Sequence, residues 1–219
     1  MEEFTIDEGL NPAQLEAVTH ADGPLLVVAG AGSGKTRVLT RRIAYLIRER
    51  YVSPFGILAL TFTNKAAGEM KDRVVRLVGD IAQSMWISTF HSACVRMLRR
   101  DAGLIGYPSH FTIYDQGDSA RLVGHVVRDL GLEVKRFSPR ALQSVISGAK
   151  NEGLDAASYS SQATGPYEER VADIFCGYQK RLQDAGAMDF DDLLVNLSLI
   201  HISEPTRRTP ISYAVFCLK

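Results

Sequence analysis

The chain has no excess of either charge: 25 Lys and Arg stand against 25 Asp and Glu over 219 residues. A broad polyelectrolyte surface of the histone type is therefore excluded, and any nucleic-acid partner has to be held in a local groove. Cysteine is scarce as well. Cys94, Cys176 and Cys217 lie far apart, with no Cys-x-x-Cys or Cys/His cluster to hold zinc, so reduced and structurally passive thiols are expected. Long apolar runs are missing. Runs such as residues 25–29 and 57–60 fall far short of the roughly 18–20 residues of a membrane-spanning helix. The first eight residues lack the positive flank and apolar core of a secretory signal, which makes the cytoplasm the expected compartment. What is present, 46% hydrophobic and 23% charged residues, is the make-up of one or two soluble globular domains and excludes collagen-like, mucin-like and strongly disordered chains.

Residues 197–219 do not fit the rest. LSLIHISEPTR, then Arg208-Thr209-Pro210, then ISYAVFCLK read in one phase as a translated sequencing-library adaptor around a variable index. The alternative is an ordinary C-terminal loop and strand. With this segment set aside as an artefact, residues 1–196 stop without an ending of their own, and a truncated chain is the expectation.

The apolar pattern alternates between strand and helix periods. Residues 25–29 predict a short strand running into a glycine cluster, and Val38, Leu39, Ile43, Leu46 and Ile47 mark the helix beyond it. Residues 57–62 predict a second buried strand, followed by a helix through Ala66, Met70, Val74 and Leu77. Residues 85–89 and a helix over 90–100 repeat the unit. Such alternation predicts an α/β fold with a parallel sheet and helices on both faces. From about Phe111 the pattern turns all-helical: Leu122, Val123, Val126, Val127 and Leu130 form one apolar face, and Val171, Ile174, Phe175, Tyr178 and Leu182 another. A loop is expected between Gly153 and Pro166.

Ala29-Gly30-Ala31-Gly32-Ser33-Gly34-Lys35-Thr36 stands between the predicted strand and helix, the setting a Walker A loop requires. Glycines let backbone N–H groups turn toward phosphates, the helix start adds positive potential, Lys35 can reach the β- and γ-phosphates, and the Thr36 hydroxyl can ligate Mg²⁺. A dinucleotide fingerprint is discounted because Lys35 stands where the third glycine belongs. In Asn64-Lys65-Ala66-Ala67 the alanine removes the carboxylate a guanine reader needs, so a GTPase is not expected.

Leu10-Asn11-Pro12-Ala13-Gln14-Leu15-Glu16-Ala17-Val18, then the loop and Arg37, then Thr61-Phe62-Thr63-Asn64-Lys65-Ala66-Ala67, then Ser88-Thr89-Phe90-His91-Ser92, then Met188-Asp189-Phe190-Asp191-Asp192-Leu193-Leu194, resembles superfamily 1 DNA helicases of the UvrD/PcrA/Rep family in order and spacing. The resemblance runs from about residue 10 to 196. It implies a RecA-like P-loop NTPase fold interrupted by an all-helical inserted subdomain. Residues 1–110 would be the first part of the first motor domain, 111–186 the insertion, 187–196 a return toward the motor domain, and 197–219 the adaptor-derived segment.

The same resemblance implies ATP and Mg²⁺ as cofactors, Lys35 and Thr36 as catalytic residues, and Gln14 as the amide that pairs with the adenine edge. It makes Phe62, Thr63, Asn64, Thr89, Phe90 and His91 DNA contacts, Phe62 through stacking and the threonines and Asn64 through phosphate oxygens. Alternatives stay open for a solvated Gln14 or Arg37, a core Phe62 or Phe90, and an ordinary His91. The implied activity is ATP-dependent 3′–5′ translocation and duplex unwinding on single strands and single/double-strand junctions, with DNA repair among the processes served and no membrane partner. The carboxylate motif Asp-Glu-x-Gln of the family is missing, and Asp189, Asp191 and Asp192 are expected to form a capped structural element that follows no strand. A nucleotide-binding module or inert fragment without turnover is therefore the alternative for this chain by itself.

Overall fold

The computed structural model describes residues 5–203 and 213–216, with side chains described up to residue 200. Two compact units emerge, one running up to Ala93 and including the strand at 213–216, the other beginning at Cys94.

In the first unit, α1 (Pro12–Thr19) precedes the glycine loop and α2 (Lys35–Arg48) follows it. Next come β1 (Ile57–Thr61), α3 (Asn64–Val78), β2 (Trp86–Thr89) and the first turn of α4 (Phe90–Asp101). The strands at 57–61 and 86–89 and the helices after them match the sequence pattern closely. β1 and β2 are parallel, with Leu58 opposite Trp86 and Thr61 opposite Thr89. Every residue of β1 is buried. Ile43 and Leu46 of α2 and Met70 and Val74 of α3 close over Ile57 and Ala59, with Ala82 and Met85 completing the cluster.

The strand expected at 25–29 does not form. Residues 24–30 are irregular, and Leu26 and Val28 stand 78% and 90% exposed. Both edges of β1 are already taken, one by β2 and the other by β5 (Tyr213–Phe216), which also runs parallel to it. Residues 24–30 pair with neither outer strand, β2 or β5, and a segment that joins no ladder has nothing to define it as a strand, however apolar its sequence. β5 falls in the segment set aside as adaptor-derived.

The second unit is mostly helical. α5 (Gln116–Asp129), α6 (Pro139–Asn151), α7 (Ala156–Gln162) and α8 (Pro166–Asp184) surround a core of Val123, Val127, Leu142, Ile146, Ile174, Phe175 and Leu182. It departs from the all-helical expectation at β3 (Thr112–Tyr114), which pairs in parallel with β4 (Ala187–Asp189) just beyond the expected helical stretch, Thr112 opposite Ala187. Three-residue strands are too short to display an alternating pattern. α7 replaces the expected loop; its Ser-rich sequence hides a helix capped by Asp155, whose Oδ1 accepts from Ser158 N at 2.7 Å, with Tyr159 edge-on to Phe175. α9 (Phe190–Ser203) closes the unit, with Leu193 and Ile200 buried beside Leu98, Phe111 and Met188. Residues 197–203, also within the set-aside segment, continue this helix.

α8 packs tightly on α5 at Gly177, where an added Cβ would lie 2.8 Å from Val126 Cγ1. Val126 is buried and β-branched, so it has little freedom to turn aside. Gly177→Ala is expected to destabilise by about 1 kcal/mol, overpacking of about 1–3 kcal/mol outweighing the gain of up to about 1 kcal/mol in helix propensity. A lowered denaturant midpoint at unchanged slope is the measurement.

Candidate nucleotide and nucleic-acid site

The glycine loop opens α2 as expected, but the strand expected ahead of it is irregular. Gly32 and Gly34 adopt φ of 74° and 85°, a left-handed region in which a Cβ is strained. Gly34 is the N-cap of α2 and offers no capping side chain, so the first-turn N–H groups of Lys35, Thr36 and Arg37 lack a side-chain acceptor. Ser33 folds back on Gly30 O through both its N–H, at 3.3 Å, and its hydroxyl, at 2.7 Å. Lys35 Nζ donates to Ala29 O at 3.0 Å and Gly30 O at 2.9 Å, placing an ammonium inside the loop. Ala31 is exposed on the turn, and Thr36 is half-buried in the first turn of α2.

Gln14 is brought to this loop. Its Nε2 donates to Ser33 O at 2.8 Å, and its Oε1 accepts from Asn11 N at 3.0 Å. The second bond is half of a capping box, completed by Gln14 N donating to Asn11 Oδ1 at 2.9 Å. An added Cβ at Gly34 would sit 2.9 Å from Gln14 Nε2, so the glycine also makes room for this amide. Arg37 turns away from the phosphate loop, and its Nη1 donates to Gly9 O at 3.0 Å.

The residues proposed to meet DNA gather at the C-terminal ends of β1 and β2, because the Thr61–Thr89 register aligns those ends. Phe62 is 59% exposed and contributes no core surface. Thr63 Oγ1 accepts from Ala66 N at 3.1 Å as the N-cap of α3, which leaves its hydroxyl proton for another acceptor, and Asn64 is exposed beside it. Thr89 is buried, and its hydroxyl pairs with Ser92 Oγ at 2.8 Å. Phe90 is half-buried and His91 exposed.

The acidic segment near the end of the second unit is structural, and it does close a strand, contrary to expectation. Asp189 ends β4 and caps α9: its Oδ1 accepts from Asp192 N at 2.8 Å, while Asp192 Oδ2 accepts from Asp189 N at 3.2 Å. Both carboxylates are met by Lys150, whose Nζ donates to Asp189 Oδ2 at 2.7 Å and Asp192 Oδ1 at 2.8 Å. All three are buried. The Tyr178 hydroxyl donates to Asp189 Oδ2 at 2.8 Å and Gln179 Nε2 to Asp192 Oδ1 at 3.2 Å. Burial pushes the Asp192 carboxyl above the usual range, with Lys150 pulling the other way, and pushes the Tyr107 hydroxyl nearby up to about 12. Lys150 escaped the sequence reading, although its place on the stripe of Leu142, Ile146 and Ala149 marks a charge on an apolar helix face. Among the described residues no group of His, Cys, Asp and Glu is arranged to hold a metal ion, and no helix is long and apolar enough to cross a membrane.

Helices alternating with small parallel sheets and a Walker A sequence at a helix start define an α/β protein with the sequence of a phosphate-binding loop. The family described as UvrD/REP helicase N-terminal domain matches residues 10–212, and the chain belongs to that family. It is 56% identical over 191 residues to the ATP-dependent DNA helicase UvrD1 of Mycobacterium tuberculosis (strain ATCC 25618 / H37Rv), covering 85% of this chain and 25% of the relative. Against the ATP-dependent DNA helicase PcrA of Bacillus subtilis (strain 168) the identity is 51% over 187 residues, with the same coverage. For PcrA of Staphylococcus aureus (strain NCTC 8325 / PS 47) it is 51% over 186 residues, covering 85% of this chain and 26% of the relative. The chain thus spans about a quarter of the length of these relatives.

Proposed function

We propose that this chain is the N-terminal part of an ATP-dependent DNA helicase that translocates 3′ to 5′ on single-stranded DNA and opens duplexes from single/double-strand junctions, in DNA repair and in the cytoplasm. The observation that carries the reading is the glycine loop, with left-handed Gly32 and Gly34 delivering Lys35 and Thr36 to the uncapped start of α2. Its donor set suits a triphosphate: backbone N–H groups, a helix start, and an ammonium held in the loop. Lys35 and Thr36 are the catalytic residues of the reading. Ala29, Gly30, Ala31, Gly32, Ser33 and Gly34 form the cradle, Arg37 follows it in α2 and ties that helix to Gly9 of the N-terminal segment, and Gln14 reads adenine. The Thr36 hydroxyl would hold Mg²⁺, which when bound with ATP offsets charge on the β- and γ-phosphates. RecA-like architecture, with the helical segment as an insertion from about residue 111 to 186, belongs to the same reading.

Phe62, Thr63, Asn64, Thr89, Phe90 and His91 form the strand-binding edge. Phe62 offers a stacking face, and the Thr63 hydroxyl and Asn64 amide suit phosphate oxygens. Thr89 acts through its bond to Ser92, which shapes the turn carrying His91. For the 219-residue chain by itself, nucleotide binding without turnover is the reading we favour, since Asp189 and Asp192 are committed to Lys150.

Phe62→Ala is expected to weaken single-strand binding by about 1–3 kcal/mol without lowering the unfolding midpoint. Equal losses in affinity and stability would return Phe62 to a packing role. The activity is tested in the full-length protein by ATP turnover with and without single-stranded DNA, and by unwinding of duplexes carrying a 3′ or a 5′ tail. A requirement for the 5′ tail would refute the polarity, and turnover indifferent to DNA would refute the helicase reading.

A further inference from the structure

The segment ahead of the glycine loop is tied to α2 by a row of arginines. Arg37 reaches Gly9 O, Arg41 Nη1 donates to Thr5 O at 2.6 Å, and Arg42 Nη1 spans three carbonyls at the end of α1. These are Ala17 O at 3.4 Å, Val18 O at 3.0 Å and His20 O at 3.0 Å. α1 has eight residues, fewer than the roughly 12–15 at which an isolated helix is even marginal in water. Its surroundings therefore decide its position. The capping box holds its start, and the buried Ala17 and Val18 pack on Val38. At its far end the guanidinium of Arg42 satisfies carbonyls left over by the helix and faces the negative end of its dipole.

Gln14 sits between these supports. Its amide has two donor hydrogens and two lone pairs, of which Ser33 O takes one hydrogen and Asn11 N one lone pair. One donor and one acceptor remain, in a plane fixed by the two bonds already made. That is the pair an adenine edge requires. A tilt of α1 would rotate this plane without touching Lys35 or the glycines.

We propose that Arg42 is a positioning residue for base selectivity: by holding the carbonyl end of α1, it sets the Gln14 amide beside the glycine loop. The proposal rests on the reading of Gln14 as the adenine contact. It predicts that Arg42 acts on the choice of base and not on the phosphates, although it stands on the helix that begins at Lys35.

The test is competition of ATP and of GTP against a fluorescent N-methylanthraniloyl-ATP bound by the full chain, compared across Gln14→Ala, Arg42→Met, Arg42→Lys and the double variant Gln14→Ala/Arg42→Met. Arg42→Met is expected to lower ATP affinity about 5- to 10-fold while GTP affinity stays within about twofold, the loss being that of a hydrogen-bonding partner of the base alone. Arg42→Lys, whose ammonium can still reach a carbonyl, should fall between. Arg42→Met should add nothing on top of Gln14→Ala. Hydrogen exchange without nucleotide gives an independent readout, with faster exchange expected over residues 12–20 in Arg42→Met and none over 57–61. Equal losses for ATP and GTP, additivity with Gln14→Ala, or unchanged exchange over 12–20 would overturn the role of Arg42. An ATP/GTP ratio unmoved by Gln14→Ala, or no nucleotide binding by the unaltered chain, would instead overturn the reading of Gln14, and the proposal with it.

Discussion

Lys35→Ala is expected to abolish ATP turnover in the full-length protein, by at least about 10²-fold, the scale on which a pre-positioned charge at a phosphoryl-transfer site acts. The fold should survive. Lys35 is half-buried, and the two carbonyls it meets, Ala29 O and Gly30 O, lie in a largely exposed loop where water can replace the ammonium. The measurement is steady-state turnover with single-stranded DNA, alongside thermal unfolding. Near-normal turnover would remove the loop from the chemistry, and a large drop in unfolding temperature would show that the lysine is holding the structure together.

Lys150→Met is expected to cost about 3–5 kcal/mol, the scale for removing one partner of a buried ion pair. Methionine fills much of the space, so the loss comes from Asp189 and Asp192, left buried and facing each other with only Tyr178, Gln179 and the capping amides to satisfy them. The pH dependence has a definite sign. Burial already raises Asp192 above its ordinary value of 3.8, and Lys150 is what opposes the rise. Without the lysine the folded-state value climbs further, so ionising Asp192 costs more in the folded than in the unfolded chain. The deficit of Lys150→Met should be smallest below the ordinary carboxylate range and grow as pH rises through the new folded-state value. Denaturant midpoints at about pH 3 and about pH 8, on either side of the ordinary carboxylate value, measure it. A deficit that shrinks toward high pH would show that the carboxylates are not what the lysine neutralises.

Several particulars show how far the residues could be read in advance. Residues 57–60 are apolar and bounded by a turn and a helical stripe, so the strand was legible; the segment at 25–29 looked the same and is irregular. A strand depends on an edge supplied from elsewhere in the chain, and no local pattern reports whether that edge is free. The helix at 156–162 was hidden by serine and alanine, which carry no apolar stripe, and the three-residue β3 and β4 were hidden by their length. The glycine loop was legible because its constraint is local: φ near 80° at Gly32 and Gly34 is a demand on single residues.

By itself, then, the sequence determined what depends on neighbours in the chain: the loop from Ala29 to Thr36, the helices with a continuous apolar face, and the order of motifs that places the chain in its family. Tertiary structure decided what depends on residues far apart. It set the Gln14 amide against Ser33, 19 residues and so about 60–70 Å of extended chain away by roughly 3.3–3.6 Å per residue, and laid the end of α1 on Arg42. It turned Arg37 toward Gly9 and buried Lys150 between two aspartates some forty positions downstream. Each of these is a polar group whose partner is chosen by which atoms packing leaves within hydrogen-bond reach, and for the buried Lys150 the choice is binding because an unpaired group there costs more than the bond itself contributes.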